Sequence, residues 1–118
     1  MENQLNYFDK LRMLMKEFVH GVYDATEGFP KSEIFGSVSQ VRRASLSVLL
    51  NFTEGFARKR SAVMKNFYEI SYGSLKETLI ILEFALERKY IKKDIYDKLN
   101  RTGDEIGRML WSCIIKIK

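Results

Sequence analysis

The sequence predicts an all-α fold, an antiparallel up-down four-helix bundle, on three observations. Apolar residues recur at spacings of three and four along four long segments. No window alternates between apolar and polar residues for long, so nothing indicates a sheet. One proline and no Gly/Ser-rich run among 118 residues leave no flexible linker, which predicts one domain over 1–118 with short connections.

The first helix is predicted over residues 5–26, where apolar positions follow one face. Those positions are Phe8, Leu11, Met15, Phe18 and Val22. The helix ends before Gly28, a typical residue just past a helix terminus, and Pro30 follows.

The second helix is predicted to run from a Ser32 cap to about Ala57. On a helical wheel one side is a polar stripe of Gln40, Arg43, Ser47, Asn51, Glu54 and Arg58. The opposite core face holds Ile34, Val38, Val41, Val48, Leu49, Phe52 and Phe56. A second apolar strip, Leu46, Leu50 and Ala57, lies between them. Arg42 falls between the two apolar sectors, so it either extends its head to water or pairs with a carboxylate.

The third helix is predicted from a Ser61 cap to about Lys89, and the fourth is predicted to open at Asp94. The third helix is two-faced as well. Its core positions are Met64, Phe67, Tyr68, Leu75, Leu79, Leu82 and Leu86, and its second strip is Val63, Ile70, Ile81 and Phe84. The core positions of the fourth are Ile95, Leu99, Ile106, Met109, Leu110, Cys113 and Ile117.

Two-faced helices predict a homo-oligomer, because the surface helix of a monomer needs only one apolar face. Glycines inside the predicted helices bear on the same question, since each costs on the order of 1 kcal/mol against alanine. They are Gly21, Gly36, Gly73, Gly103 and Gly107. Either they allow tight packing within one bundle, or they allow close helix packing between subunits.

Composition restricts the class of protein. The net charge is +5 and the isoelectric point is near 9.4, which is compatible with an acidic partner such as nucleic acid. Cys113 is the only cysteine, no apolar run suits a membrane span, and the N-terminus does not have the pattern of a signal peptide. We therefore expect a cytoplasmic protein without membrane association.

Basic residues collect at both ends of the predicted bundle. One end holds Arg58, Lys59, Arg60, Lys65, Lys116 and Lys118, and the other holds Arg88, Lys89, Lys92 and Lys93. These clusters are either ordinary solvated helix ends, where cations are favourable, or a repeated polyanion-binding surface in an oligomer.

Catalytic, metal and cofactor motifs are absent from the sequence, which predicts a non-enzymatic protein with no cofactor and no small-molecule substrate. His20, the only histidine, has Arg12 eight residues before it, which is off register for the Arg/His pair of helical-bundle ribonucleases. A small nuclease is therefore the weakest alternative. Tyr72, on the charged side of the third helix, is the one aromatic residue that we would test for base stacking.

The second helix carries a recognisable pattern. Gln40-x-Arg42-Arg43-Ala44 is followed by Ser47, Asn51 and Glu54-Gly55, and further matches follow at Phe29-Pro30, Arg58, Gly73-Ser74-Leu75, Glu77 and Tyr90-Ile91. Over residues 5–112 the sequence resembles a bacterial four-helix-bundle family known as ribosomal RNA intervening-sequence proteins. Leu49 departs from the family, where a proline is frequent, so this helix should be straighter here.

The resemblance implies a homopentamer of up-down bundles with no established enzymatic activity. A related group serves as accessory proteins of diversity-generating retroelements and contacts a reverse transcriptase and nucleic acid. By this analogy Arg42, Arg43 and the turn 58–60 are candidates for contact with RNA or a nucleic-acid-handling protein. The alternative function is a protein-interaction scaffold without nucleic-acid contact. For Gln40, Ser47, Asn51 and Glu54, the alternative to a binding surface is a structural hydrogen-bonded network.

Overall fold

Four α-helices form the fold, in the predicted order. In the computed structural model, which describes residues 6–118, the helices are α1 (Tyr7–Thr26), α2 (Ser39–Phe56), α3 (Ser61–Glu87) and α4 (Lys93–Ile115). Each helix packs against the next along the chain, and α4 packs against α1. No strand occurs within the described range. The all-α, four-helix fold class is confirmed, while residue 5, the predicted start of the first helix, lies outside the described residues.

The predicted continuous helix from Ser32 is wrong at its N-terminal end. A 3₁₀ turn, Lys31–Glu33, and one π-helical turn, Ile34–Val38, precede α2. Gly36, within the π turn, has φ −110° and ψ −112°, far from α-helical values. Ser32 caps nothing. Instead the Glu33 carboxylate accepts hydrogen bonds from the Ser37 backbone N–H (3.2 Å) and hydroxyl (2.7 Å), which stabilises the break.

Two other predicted helix ends shift by a few residues. Ser61 is the first residue of α3 and not its cap, since Arg60 takes the cap position without a side-chain hydrogen bond. At its C-terminus α3 ends before Lys89, which has φ 66°. The backbone N–H of Lys89 donates to Leu86 O (3.0 Å) and that of Tyr90 donates to Ala85 O (2.8 Å). This is the Schellman pattern with lysine at the position that usually holds glycine.

The core is built from the predicted apolar faces of all four helices. Its largest fully buried side chains are Leu11, Met15, Phe18, Val22, Val41, Val48, Phe52, Tyr68, Leu75, Leu82, Ile106 and Leu110. Several other predicted core residues are partly buried, and three are exposed. Ile95 is 40% exposed because it lies in the first turn of α4, at the edge of the bundle. Ile34 is half exposed because the π turn changes the helical register, and Phe56 lies at the last turn of α2, where its ring packs on Phe8 with centroids 4.7 Å apart.

The second apolar strips of α2 and α3 are partly uncovered in the single chain. Leu50, Ile70 and Phe84 are each about half exposed. Two glycines show the same difference between a covered and an uncovered helix face. A Cβ added at Gly103 would lie 2.7 Å from Leu79, so this glycine allows α3 and α4 to pack closely, whereas a Cβ at Gly73 would have no atom within 4 Å. Gly103 therefore packs within the bundle, whereas the Cα of Gly73 faces open space as far as residues 6–118 are concerned.

Candidate functional site

The middle of the polar stripe forms a hydrogen-bonded network between α2 and α3. The hydroxyls of Ser47 and Ser74 lie 2.8 Å apart. The Asn51 amide donates to the Ser47 carbonyl (3.0 Å) and to its hydroxyl (2.9 Å). Small hydroxyl side chains at this crossing let the two helices pack closely while both hydroxyls and the Asn51 amide nitrogen have partners. These residues link the two helices as well as contributing to a surface.

The N-terminal half of the stripe lines a polar groove between α2 and α3. Gln40 and Arg43 of α2 face Ser74 and Glu77 of α3 across a cavity of about 370 Å³, and Phe35 lies at one end. Among the described residues, neither Arg43 nor Glu77 forms an ion pair. The groove therefore offers one cation, one carboxylate, hydroxyls and an amide, a mixed set that suits hydrogen bonding.

The π turn places Phe35 in solvent. This side chain is 96% exposed, the most exposed large apolar residue in the described chain. Beside it, Ile80 and Phe84 of α3 lie with Gly36 along a second shallow groove, and both are more than half exposed. Hydrogen bonds from Ser37 hold the pKa of the Glu33 carboxyl below its ordinary value. The charged carboxylate is thus the form that maintains this turn.

Arg42 joins α2 to the end of α1. Its Nε donates to the Thr26 hydroxyl (2.7 Å) and one terminal nitrogen donates to the Tyr23 carbonyl (3.2 Å). The guanidinium also lies 4.7 Å from the centroid of the Tyr23 ring and 3.5 Å from the Glu27 carboxylate. Of the two alternatives that the sequence leaves open for Arg42, the structure shows pairing with a carboxylate. A nucleic-acid role for Arg42 stays a prediction, and its Nε and one terminal nitrogen already have partners within the chain.

The basic turn between α2 and α3 is open to solvent. Arg58 pairs with Glu54 and lies 5.3 Å from the centroid of the Phe67 ring. Lys59, Arg60 and Lys65 are exposed and form no ion pair within the described residues. The turn therefore presents the ion-paired guanidinium of Arg58 beside the cations Lys59 and Arg60, which are unpaired within residues 6–118. Lys65 of α3 adds a third such cation.

Gly55, in the recognised pattern, makes room for an aromatic ring. A Cβ at this position would lie 2.8 Å from Tyr68, whose ring stacks on Phe52 with centroids 5.1 Å apart. The Tyr68 hydroxyl is buried and has no hydrogen-bond partner among residues 6–118. Burial raises the pKa of Tyr68 to about 12 and raises the pKa of the Cys113 thiol. Neither group is prepared for nucleophilic chemistry, because both are held neutral.

The remaining candidates do not come together as a reactive site. Arg12 pairs with Asp9, whereas His20 lies in a groove between α1 and α4. The Tyr72 ring packs on Trp111 with centroids 5.3 Å apart. Across residues 6–118, no group of three or more His, Cys, Asp or Glu side chains could hold a metal ion. In the same range no helix is both long and apolar enough to cross a bilayer.

Phe35 is the surface residue that sequence reasoning missed. A continuous helix from Ser32 places Ile34 and Val38 on its apolar face and gives Phe35 no part in that face. The exposure of Phe35 depends on the π turn. The local sequence signal for a break in the helix at this point is the Gly36-Ser37 pair that follows Glu33.

Comparisons with known proteins support the family resemblance. A family model described as "23S rRNA-intervening sequence protein" matches residues 10–112. A similar solved structure is a protein of unknown function from the S23 ribosomal protein family of Bacteroides thetaiotaomicron VPI-5482. It has 21% sequence identity and a TM-score of 0.86 and covers 94% of this chain and 100% of its own. At this identity the likeness shows the fold alone. No curated protein matches the sequence.

Proposed function

The chain belongs to the 23S rRNA-intervening sequence protein family, and from that premise we propose that it is a non-enzymatic, self-associating helical bundle that binds RNA or a ribonucleoprotein. The single observation that carries the proposal is the basic turn 58–60 at the end of the α2–α3 pair. Neither the described residues nor the comparisons point to an enzymatic activity. The cytoplasm is the compartment that fits such a role.

Charge placement supports contact with a polyanion. Lys59, Arg60 and Lys65 are exposed at one end of the bundle, and Lys92 and Lys93 are exposed at the other. Lysine and arginine side chains that contact phosphates release counterions, which supplies most of the sequence-independent free energy of nucleic-acid binding. Such contacts need no deep cavity. The mixed groove beside Arg43 is the place where a particular partner would be selected.

Self-association would repeat these cations around an assembly. The half-exposed strips on α2 and α3 support it, because exposed apolar patches of this kind mark interfaces. A homopentamer, the number that the family resemblance implies, would present five copies of the basic turn. The potential of such a ring attracts a polyanion more strongly than one chain does.

Filter binding of a structured RNA between 50 and 200 mM salt tests the RNA contact. If roughly four phosphates are neutralised, the logarithm of the binding constant falls with a slope of about −3.6 against the logarithm of salt, about a hundredfold loss of affinity over this range. Lys59→Glu with Arg60→Glu should reduce the slope by about 1.8. Lys16→Glu with Arg101→Glu makes the same charge change at exposed positions of α1 and α4 and should alter the slope less. Absence of binding at 50 mM salt would remove the RNA proposal.

A protein-interaction scaffold is the second candidate, favoured by the mixed polarity of the groove between Arg43 and Glu77. A groove with both charges suits a peptide better than a phosphate backbone. This candidate predicts a partner that remains bound after nuclease treatment and is lost in Arg43→Glu. Loss of the partner on nuclease treatment would instead favour RNA.

A further inference from the structure

Two unpartnered surfaces lie on opposite sides of the bundle. The helices contact one another in the order α1–α2–α3–α4 and back to α1, so the α2–α3 pair and the α1–α4 pair form opposite faces. We call them the front face and the back groove. The front face carries Phe35, the polar groove and the outer side of α3. The back groove is a cavity of about 610 Å³ between α1 and α4.

The front face carries a ridge of exposed, mainly apolar side chains on α3, which is interrupted at Gly73. Along α3 the residues Ile70, Gly73, Glu77, Ile80 and Phe84 follow one another at spacings of three and four, as the contact positions of a packed helix do. All five are exposed. Gly73 costs on the order of 1 kcal/mol in an exposed helix and fills no packing role within the chain. Phe35 projects beside this ridge. The face therefore has one protruding aromatic side chain and, at Gly73, a flat area without a side chain.

The back groove has the complementary properties. Its floor is apolar, with Gly21, Ala25, Ile95 and Leu99 among the residues that line it, and its volume is in the range of protein sites that enclose drug-sized ligands. An open groove with a concave apolar floor suits an aromatic side chain, since tryptophan and tyrosine are enriched in the centres of interfaces.

Among the described residues, charges on the two surfaces are complementary at Arg43, the one cation that lines the polar groove together with the Glu77 carboxylate. The carboxylates of Glu17, Asp24 and Asp94 line the back groove with a single lysine, Lys98, although the whole chain has a net charge of +5. None of the four forms an ion pair within residues 6–118. On the front face Arg43, equally unpaired there, lies beside Phe35, so the guanidinium would reach the acidic edge once the aromatic ring entered the groove.

We infer that the front face of one copy binds the back groove of the next, with Phe35 entering the groove and Arg43 meeting its carboxylates. The inference rests on the self-association proposed above and names the surfaces that produce it. A contact between two different surfaces is heterologous, so it repeats from copy to copy and closes as a ring when the rotation allows. That geometry is compatible with five subunits, whereas a pairing of like faces gives dimers.

Complementation between two damaged copies tests this pairing. Phe35→Ser with Ile80→Glu damages only the front face, and Ile95→Lys damages only the back groove. Each variant should keep the wild-type helical circular dichroism and sediment as a single chain of 13.9 kDa. An equimolar mixture at about 100 µM should give one species of twice that mass, because one intact front face and one intact back groove remain in each pair. Ile115→Glu, at an isoleucine of α4 that is 62% exposed against 59% for Ile80 and 40% for Ile95, should keep the wild-type mass.

Four results would overturn the pairing, and they separate it from the proposed function. A monomeric wild type removes both this inference and self-association, whereas RNA binding by that monomer would leave the RNA part standing. A wild-type oligomer whose mass survives both sets of substitutions removes this inference alone. Dissociated variants that fail to form the mixed dimer show that the two faces do not bind each other. Dissociation by Ile115→Glu to the same extent shows that any added surface charge suffices.

Discussion

Replacing Tyr68 with phenylalanine removes one oxygen atom from the middle of the core. The Tyr68 side chain is 1% exposed and its hydroxyl has no hydrogen-bond partner within residues 6–118. A buried hydroxyl without a partner costs about 1 to 3 kcal/mol, and phenylalanine keeps the ring that stacks on Phe52. We expect Tyr68→Phe to raise the free energy of unfolding by about 1 kcal/mol at pH 7 and the Tm by about 4 °C.

The pH dependence gives the same substitution a second signature. Burial raises the pKa of Tyr68 from its ordinary value of 10.0 to about 12. Between these values the unfolded chain has lost a proton that the folded chain retains, so the stability of the wild type falls as the pH rises through this window. Two pKa units correspond to on the order of 3 kcal/mol. Tyr68→Phe lacks this loss, and its advantage should grow from pH 10 upward.

Urea unfolding at pH 7, 9 and 10.5, followed by circular dichroism, measures both effects, and the difference between the variants cancels the titration of other groups. Tyr7→Phe is a matched control, because the Tyr7 hydroxyl donates to the Met109 carbonyl at 2.9 Å and its loss should lower stability by about 0.5 to 1 kcal/mol. If Tyr68→Phe is less stable than the wild type at pH 7, or its advantage is no larger at pH 10.5 than at pH 9, the reasoning about the buried hydroxyl is wrong.

Four other substitutions probe the backbone, the packing and the α1–α2 contact. Lys89→Gly should raise stability by about 1 kcal/mol in thermal unfolding, because glycine adopts the left-handed conformation without the cost of a Cβ; unchanged stability would contradict this. Gly103→Ala should lower stability by about 1 kcal/mol through the clash with Leu79, whereas Gly73→Ala should raise the stability of the protomer by about the same amount; effects of one sign would contradict the packing difference. Arg42→Ala should cost about 1 to 2 kcal/mol in urea unfolding from lost hydrogen bonds and ring contact, and a neutral result would leave Arg42 available for a partner.

Helical periodicity predicted the fold class and most of the core because that signal is local. The apolar spacing along α3, for example, placed Leu75 and Leu82 inward, and both are fully buried. The same signal continued through Ile34 and Val38 and concealed the π turn. That turn depends on one side chain, the Glu33 carboxylate, which bonds to Ser37, and periodicity does not contain this information.

The sequence predicts on which face of its helix each residue of the candidate site lies, but it does not predict which residues of other helices lie opposite. The sequence placed Gln40, Arg43 and Ser47 on one stripe of α2, and the groove that they line needs Ser74 and Glu77 of α3 opposite them. The partners of Arg42 are likewise on α1, sixteen and nineteen residues away. Contacts of this kind follow from how helices pack, which a wheel of a single helix does not contain.

Sedimentation equilibrium of the wild-type chain at micromolar concentration tests the central claim most directly, since repeated basic ends require an assembly. The account predicts one species whose mass is a multiple of the 13.9 kDa chain. That mass is five times the chain mass if the protein forms the homopentamer that the family resemblance implies. A single species at 13.9 kDa over the whole concentration range would contradict it.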